Sequence, residues 1–165
     1  MSGCEHCNPK HTGERPPLNR MMLADWYDGP SDGLLICDQC GAAYHFLFVD
    51  WNASNALRVF ALQQMPDDTV KRAQQLFNET PTWPTWFPSR LKHPSEADQS
   101  LLQSWDRMVA EAGPYSVAIL WDNRSHTCLR ARHLSDEMAQ NVVYLPESEN
   151  FKAFADWFSF LQTNR

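Results

Sequence analysis

The chain has 165 residues, a formal net charge of −6, 43% hydrophobic residues and seven Trp. That is enough apolar material for one well-formed core. Residues 1–50 carry three basic and seven acidic side chains, so negative charge gathers there and argues against DNA or RNA as the main partner. No stretch approaches the roughly 20 apolar residues that span a membrane, and no apolar signal segment follows Met1.

In chain order, residues 1–15 are polar and read as a loop. Pro16 and Pro17 suit the first turn of a short helix, with Leu18, Met21, Met22 and Trp26 at helical spacing. Asp28-Gly-Pro-Ser-Asp-Gly33 is a turn cluster. Gly33–Cys37 reads as a strand and Ala43–Trp51 as its antiparallel return, with Tyr44, Phe46 and Phe48 on one face. Residues 50–55 read as a turn. Ala56–Gln63 is a third strand, alternating Leu57, Val59 and Ala61 with Arg58, Phe60 and Leu62.

Asp67 or Asp68 can cap a helix carrying Val70, Ala73, Leu76 and Phe77. Residues 79–94 are rich in Trp and Pro, and the prolines forbid a regular helix. Ser95-Glu-Ala-Asp98 has the form of a capping box before Leu101, Leu102, Trp105, Met108, Val109 and Ala112. Gly113-Pro114 stops that helix. Tyr115–Trp121 and Thr127–His133 form a second hairpin, and Val142–Leu145 reads as another strand. Ser148 can cap a final helix with Phe151, Phe154, Ala155, Phe158 and Leu161 inward.

The fold class expected is α+β: a zinc-stapled small antiparallel β-sheet packed with about four helices and a second β-hairpin. One domain over 1–165 is preferred. The alternative is a zinc-bound β part (1–66), a Trp/Pro-rich connection (79–94) and an α/β part (95–165).

Cys4-Glu-His-Cys7 and Cys37-Asp-Gln-Cys40 carry the strongest chemistry. Each Cys-x-x-Cys turn sets two sulfurs on one side of a tight loop. Two facing turns complete a tetrahedron around one metal ion. Gly41 suits a turn that needs positive φ. The run strand, Cys-x-x-Cys-Gly, strand over Leu34–Phe48 resembles half of a zinc ribbon, which implies a structural Zn²⁺ on Cys4, Cys7, Cys37 and Cys40. The 29 residues between Cys7 and Cys37, with Cys-x-x-Cys-Gly second, are also similar to rubredoxins, which implies iron as the alternative. Without metal, the pairs would be redox-active thiols. Four sulfurs leave no open position for substrate.

Other residues offer weaker chemistry. His6, His11 or His45 can replace a Cys and open the site. His126 and Cys128, on one strand face, can meet as base and nucleophile. Asp25, Asp28, Asp32, Asp38 and Asp50 can gather as a second metal site or a patch for a basic partner, against the ordinary reading of a solvated acidic face. Trp83, Trp86 and Phe87, stiffened by prolines, can present an aromatic surface to a partner or simply cover the core.

The function expected is a non-enzymatic cytoplasmic protein-binding module with a structural zinc, including an inhibitor or immunity-type role against a basic partner. The reducing cytoplasm suits free thiols. The alternatives are a nucleic-acid-associated zinc ribbon and a metal- or Cys-dependent enzyme.

Overall fold

A computed structural model describes residues 4–7, 16–26, 29–52, 54–78, 96–143 and 153–162. Six strands form one antiparallel sheet in the order β1-β2-β3-β4-β5-β6: β1 Arg20–Trp26, β2 Pro30–Ile36, β3 Ala43–Asn52, β4 Leu57–Gln64, β5 Tyr115–Asp122 and β6 Thr127–His133. Helices α1 Thr69–Asn78 and α2 Glu96–Val109 come between β4 and β5. Helices α3 Asp136–Gln140 and α4 Ala153–Gln162 follow β6.

The expected α+β class stands, with a different arrangement. The second hairpin is not separate, because β5 pairs with β4 from Leu57↔Asp122 to Gln63↔Tyr115. Residues 20–26 form a strand rather than the expected helix. Met21 and Leu23 pack on one sheet face, while Met22 and Ala24 pack on the other. Both faces are apolar there, so the run lacks strand alternation and imitates a helical stripe. The turn cluster at 28–33 is also mostly strand, since β2 starts at Pro30. Neighbours on both sides override the turn-forming composition of Pro30-Ser-Asp-Gly33. β3 runs through Asp50-Trp51-Asn52, so the turn after it is shorter than expected. Of the strand expected over Val142–Leu145, residues 142 and 143 are irregular and 144 and 145 lie outside the described residues. The short α3, capped by the Ser135 hydroxyl on the Met138 N–H, has too little periodicity to announce itself. The expected caps Ser95 and Ser148 lie outside the described residues.

The two faces of the sheet are buried differently. One carries Leu35, Tyr44, Phe46, Phe48, Phe60, Leu62, Val117, Ile119 and Trp121, all buried, and among the described residues its cluster contains no helix residue. Strand alternation in β3 and β4 puts these side chains together, as the sequence indicates. The face is closed by Cys7 and Leu18 and by approach of distant parts of the sheet. The Cys128 N–H donates to Asn19 Oδ1 at 3.4 Å, joining the segment before β1 to β6. A Cβ at Gly29 would lie 2.5 Å from Asn123 Nδ2 and 2.8 Å from the Arg58 guanidinium carbon, so the β1–β2 and β5–β6 ends also meet.

The other face is covered by helices. Ala73, Trp105 and Met108 of α1 and α2 pack with Leu34, Ile36 and Ala43. Met138, Ala139, Trp157, Phe158 and Leu161 of α3 and α4 pack with Val49, Val59, Ala61, Ala118 and Leu120. Arg130 donates to the Leu161 carbonyl at 3.2 Å, and Arg132 donates to the Phe160 carbonyl. Two cations therefore hold the last-turn carbonyls of α4, at the negative end of its dipole.

Candidate metal centre

The second Cys turn is built by its own backbone. The Cys37 N–H donates to the Ala42 carbonyl and the Gly41 N–H to the Cys37 carbonyl, both at 2.9 Å. Gly41 adopts φ of 75°, the positive value expected of it, where a side chain would strain the loop. The Gln39 N–H points at Cys37 Sγ, 3.4 Å away. The Asp38 N–H donates to the Pro17 carbonyl at 2.8 Å, so Pro17 anchors an extended segment to this turn.

The first turn brings Cys4 and Cys7 to the same place. Sulfur–sulfur distances are 3.6 Å for Cys4–Cys7, 3.7 Å for Cys4–Cys37 and 3.6 Å for Cys7–Cys40. All four sulfurs lie within 4.8 Å of one another, and all four thiols are free. A regular tetrahedron with metal–sulfur bonds of about 2.3 Å has edges of about 3.8 Å. The cluster therefore has the dimensions to hold one metal ion, consistent with a zinc-ribbon-like site.

Burial grades across the cluster. Cys7 and Cys37 are buried, Cys4 is half-buried and Cys40 is exposed. Burial pushes the Cys7 thiol well above the usual range, against a hydrogen bond from Tyr44. At Cys40 the burial penalty is the largest single effect, but hydrogen bonds from the Ala42 and Cys4 backbone and the Cys4 and Cys37 side chains together outweigh it and bring the thiol down to about 7. A bound cation favours the thiolate at every ligand.

Sequence reasoning missed one contact at the site. The Tyr44 hydroxyl lies 3.3 Å from Cys7 Sγ, placed to donate to a thiolate and steady a buried negative sulfur. Its signal was the one phenol among Tyr44, Phe46 and Phe48, four residues beyond Cys40.

The other candidates sort plainly. His45 is not at the sulfurs: its Nε2 meets Asp32 Oδ1 at 2.6 Å and its Nδ1 meets Gln63 Oε1 at 3.0 Å. His6 is exposed, and the group of potential ligands among the described residues is sulfur alone. His11 lies outside the described residues. His126 does not join Cys128 on the strand, because it occupies the turn before β6 with φ of 54° and is exposed. Cys128 is buried, and its thiol donates to the Arg130 carbonyl at 3.4 Å.

Among the described residues, Asp32, Asp38 and Asp50 do not form a patch. Asp32 is held by His45 and by the Trp105 indole N–H, 3.1 Å from Oδ2. Asp50 is 2% exposed, and Asp38 is exposed at the metal end. The side chains of Asp25 and Asp28, and residues Trp83, Trp86 and Phe87, lie outside the described residues. No helix among the described residues is long and apolar enough to cross a membrane. Comparison with protein families, curated proteins and solved structures found no match.

Proposed function

We propose that the chain is a non-enzymatic cytoplasmic protein-binding module whose Cys4, Cys7, Cys37 and Cys40 hold one structural zinc. The observation that carries the zinc reading is the sulfur tetrahedron itself, drawn from two loops and with no fifth donor among the described residues. Four thiolates saturate zinc, which then works by joining the loops and not by activating water. Zinc is preferred to iron because it needs no redox partner and suits a staple. A single cooperative domain over 1–165 goes with this reading, supported by the β4–β5 pairing that links the two halves of the chain.

The binding reading rests on charge. Exposed Glu5 and Asp38 flank the cluster, and four thiolates on a divalent ion add about two negative charges. A basic protein surface is the complementary partner, as an inhibitor or immunity-type protein would meet. Trp83, Trp86 and Phe87 are a second candidate contact. Asp32 is no longer one, because His45 and Trp105 engage it.

Elemental analysis tests the metal: about one zinc per chain, lost in Cys4→Ser and Cys37→Ser, is expected, and a red iron protein would overturn it. Affinity capture at rising salt tests the partner. Captured prey should elute with salt and weaken in a Glu5→Gln/Asp38→Asn double variant; salt-independent capture would remove the charge argument.

A further inference from the structure

Apart from the sulfurs, the helix-covered face of the sheet carries a polar chain of four residues, with Trp105 and His45 buried and Asp32 and Gln63 half-buried. The Trp105 N–H donates to Asp32 Oδ2, Asp32 Oδ1 meets His45 Nε2, and His45 Nδ1 meets Gln63 Oε1. Asp32 thus has a partner at each carboxyl oxygen. His45 therefore faces an acceptor at each ring nitrogen, the arrangement of an imidazolium donating twice. Burial alone would lower its pKa, but the Asp32 charge and the bonds to Asp32 and Gln63 outweigh burial and raise it.

The chain ends at an open surface cleft. Gln63 lies in the wall of a cleft of about 410 Å³, with Tyr115, His133, Leu134, Asp136 and Ala139 around it. That volume suits a small molecule. With Oε1 taken by His45, the Gln63 amide keeps its N–H donors for the cleft. Tyr115 pairs with Gln63 across the β4–β5 register. Its phenol is pushed up by burial and then by the Asp32 charge, so the relay and the cleft wall share one electrostatic neighbourhood.

We propose that this cleft binds a small apolar α-amino acid, its carboxylate on the Gln63 amide N–H, its ammonium at Asp136 and its side chain against Leu134 and Ala139. The Asp32–His45 pair is a positioning device in this site. It fixes which end of the Gln63 amide is presented, as a buried relay orients a ligand-contacting group. The donor set sorts the ligand by charge placement. A carboxylate alone meets Asp136 unfavourably, and an amine alone leaves the Gln63 donors unused.

Nuclear magnetic resonance titration of the zinc-loaded full chain with L-leucine tests the proposal, using 4-methylpentanoate and 3-methylbutylamine as fragments lacking one charge each. Leucine should shift the Gln63 side-chain amide and the Tyr115, His133 and Ala139 signals saturably. Each fragment should bind at least about tenfold more weakly, the scale of one lost charge-assisted hydrogen bond. Gln63→Glu, which sets a carboxylate where the donor stood, should abolish the shifts. Asp136→Asn, on the exposed rim, should weaken leucine about tenfold and spare 4-methylpentanoate. Equal binding of the three probes, undiminished binding by either variant, or no saturable shift at these residues would overturn it.

Discussion

The two ends of the sheet are held in opposite ways. At one end, Cys4 and Cys7 meet Cys37 and Cys40 in a four-sulfur cluster with the dimensions of a metal site. At the other, the Arg58 guanidinium is buried, donates to the Pro30 carbonyl at 2.8 Å and stacks 4.1 Å from the Phe48 ring centroid and 5.7 Å from that of Trp51. On the proposed reading one end is joined by an ion from solution, while the other closes with its own side chains. Metal supply is thus expected to control the first without touching the second.

The sharpest way to break that contrast is to remove the metal. Cys37→Ser or a strong chelator should cost more than about 5 kcal/mol, because binding energy at such a site is folding energy. The check is thermal unfolding followed by circular dichroism, with and without chelator. Coincident melts would erase the distinction.

Asp32→Asn is next, at about 3 kcal/mol. It removes the charge that holds the proton on buried His45 and leaves the ring with Gln63 alone. Denaturant titration measures the loss. The same pair sets a pH dependence. The folded His45 pKa is raised, so its stabilising contribution is complete below about pH 6.5, the unfolded value. It is lost as pH rises through the folded pKa. Asp32→Asn should remove this limb from the stability profile.

Arg58→Met keeps the stem and deletes the cation, and should cost about 2 kcal/mol. Its melt should shift equally in zinc-loaded and chelated protein; a shift that appears only with zinc would mean that the ends are coupled.

The smallest effect is a gain. Burial raises the Asp50 carboxyl to about 6, against the Trp51 N–H bond and with help from the Asp156 charge. Holding it ionised costs stability, and that cost is absent below about pH 3.9 and complete above the raised value. Asp50→Asn keeps an acceptor for Trp51 and should stabilise the protein by about 1 kcal/mol at pH 7, with no gain at pH 3.5. Paired melts at the two pH values check it.

Legibility in the sequence followed the reach of each interaction. The Cys turns, Gly41 and the β5–β6 hairpin are local, and residue spacing specified them. Strands β3 and β4 alternate cleanly, so their faces could be read. β1 could not, because its apolar run packs on both faces. Nor could the joining of β4 to β5, which depends on a partner far along the chain. The Asp32–His45–Gln63 relay was hidden for the same reason. Its residues come from three strands, and Asp32 sits among turn-forming neighbours. Tyr44 was visible as a core residue, but the direction of its hydroxyl was not.

The nearest-neighbour order of the sheet has a consequence during synthesis. β1 to β4 can pair in turn as they leave the ribosome, but β5 begins about fifty residues after β4 ends. At about 5–20 residues per second, that gap lasts several seconds. For that time β4 presents an open hydrogen-bonding edge, Leu57 to Gln64, that any other extended chain can join. The vulnerable moment of this protein is therefore the interval in which its last two strands have yet to arrive, and crowded overexpression is where it would tell.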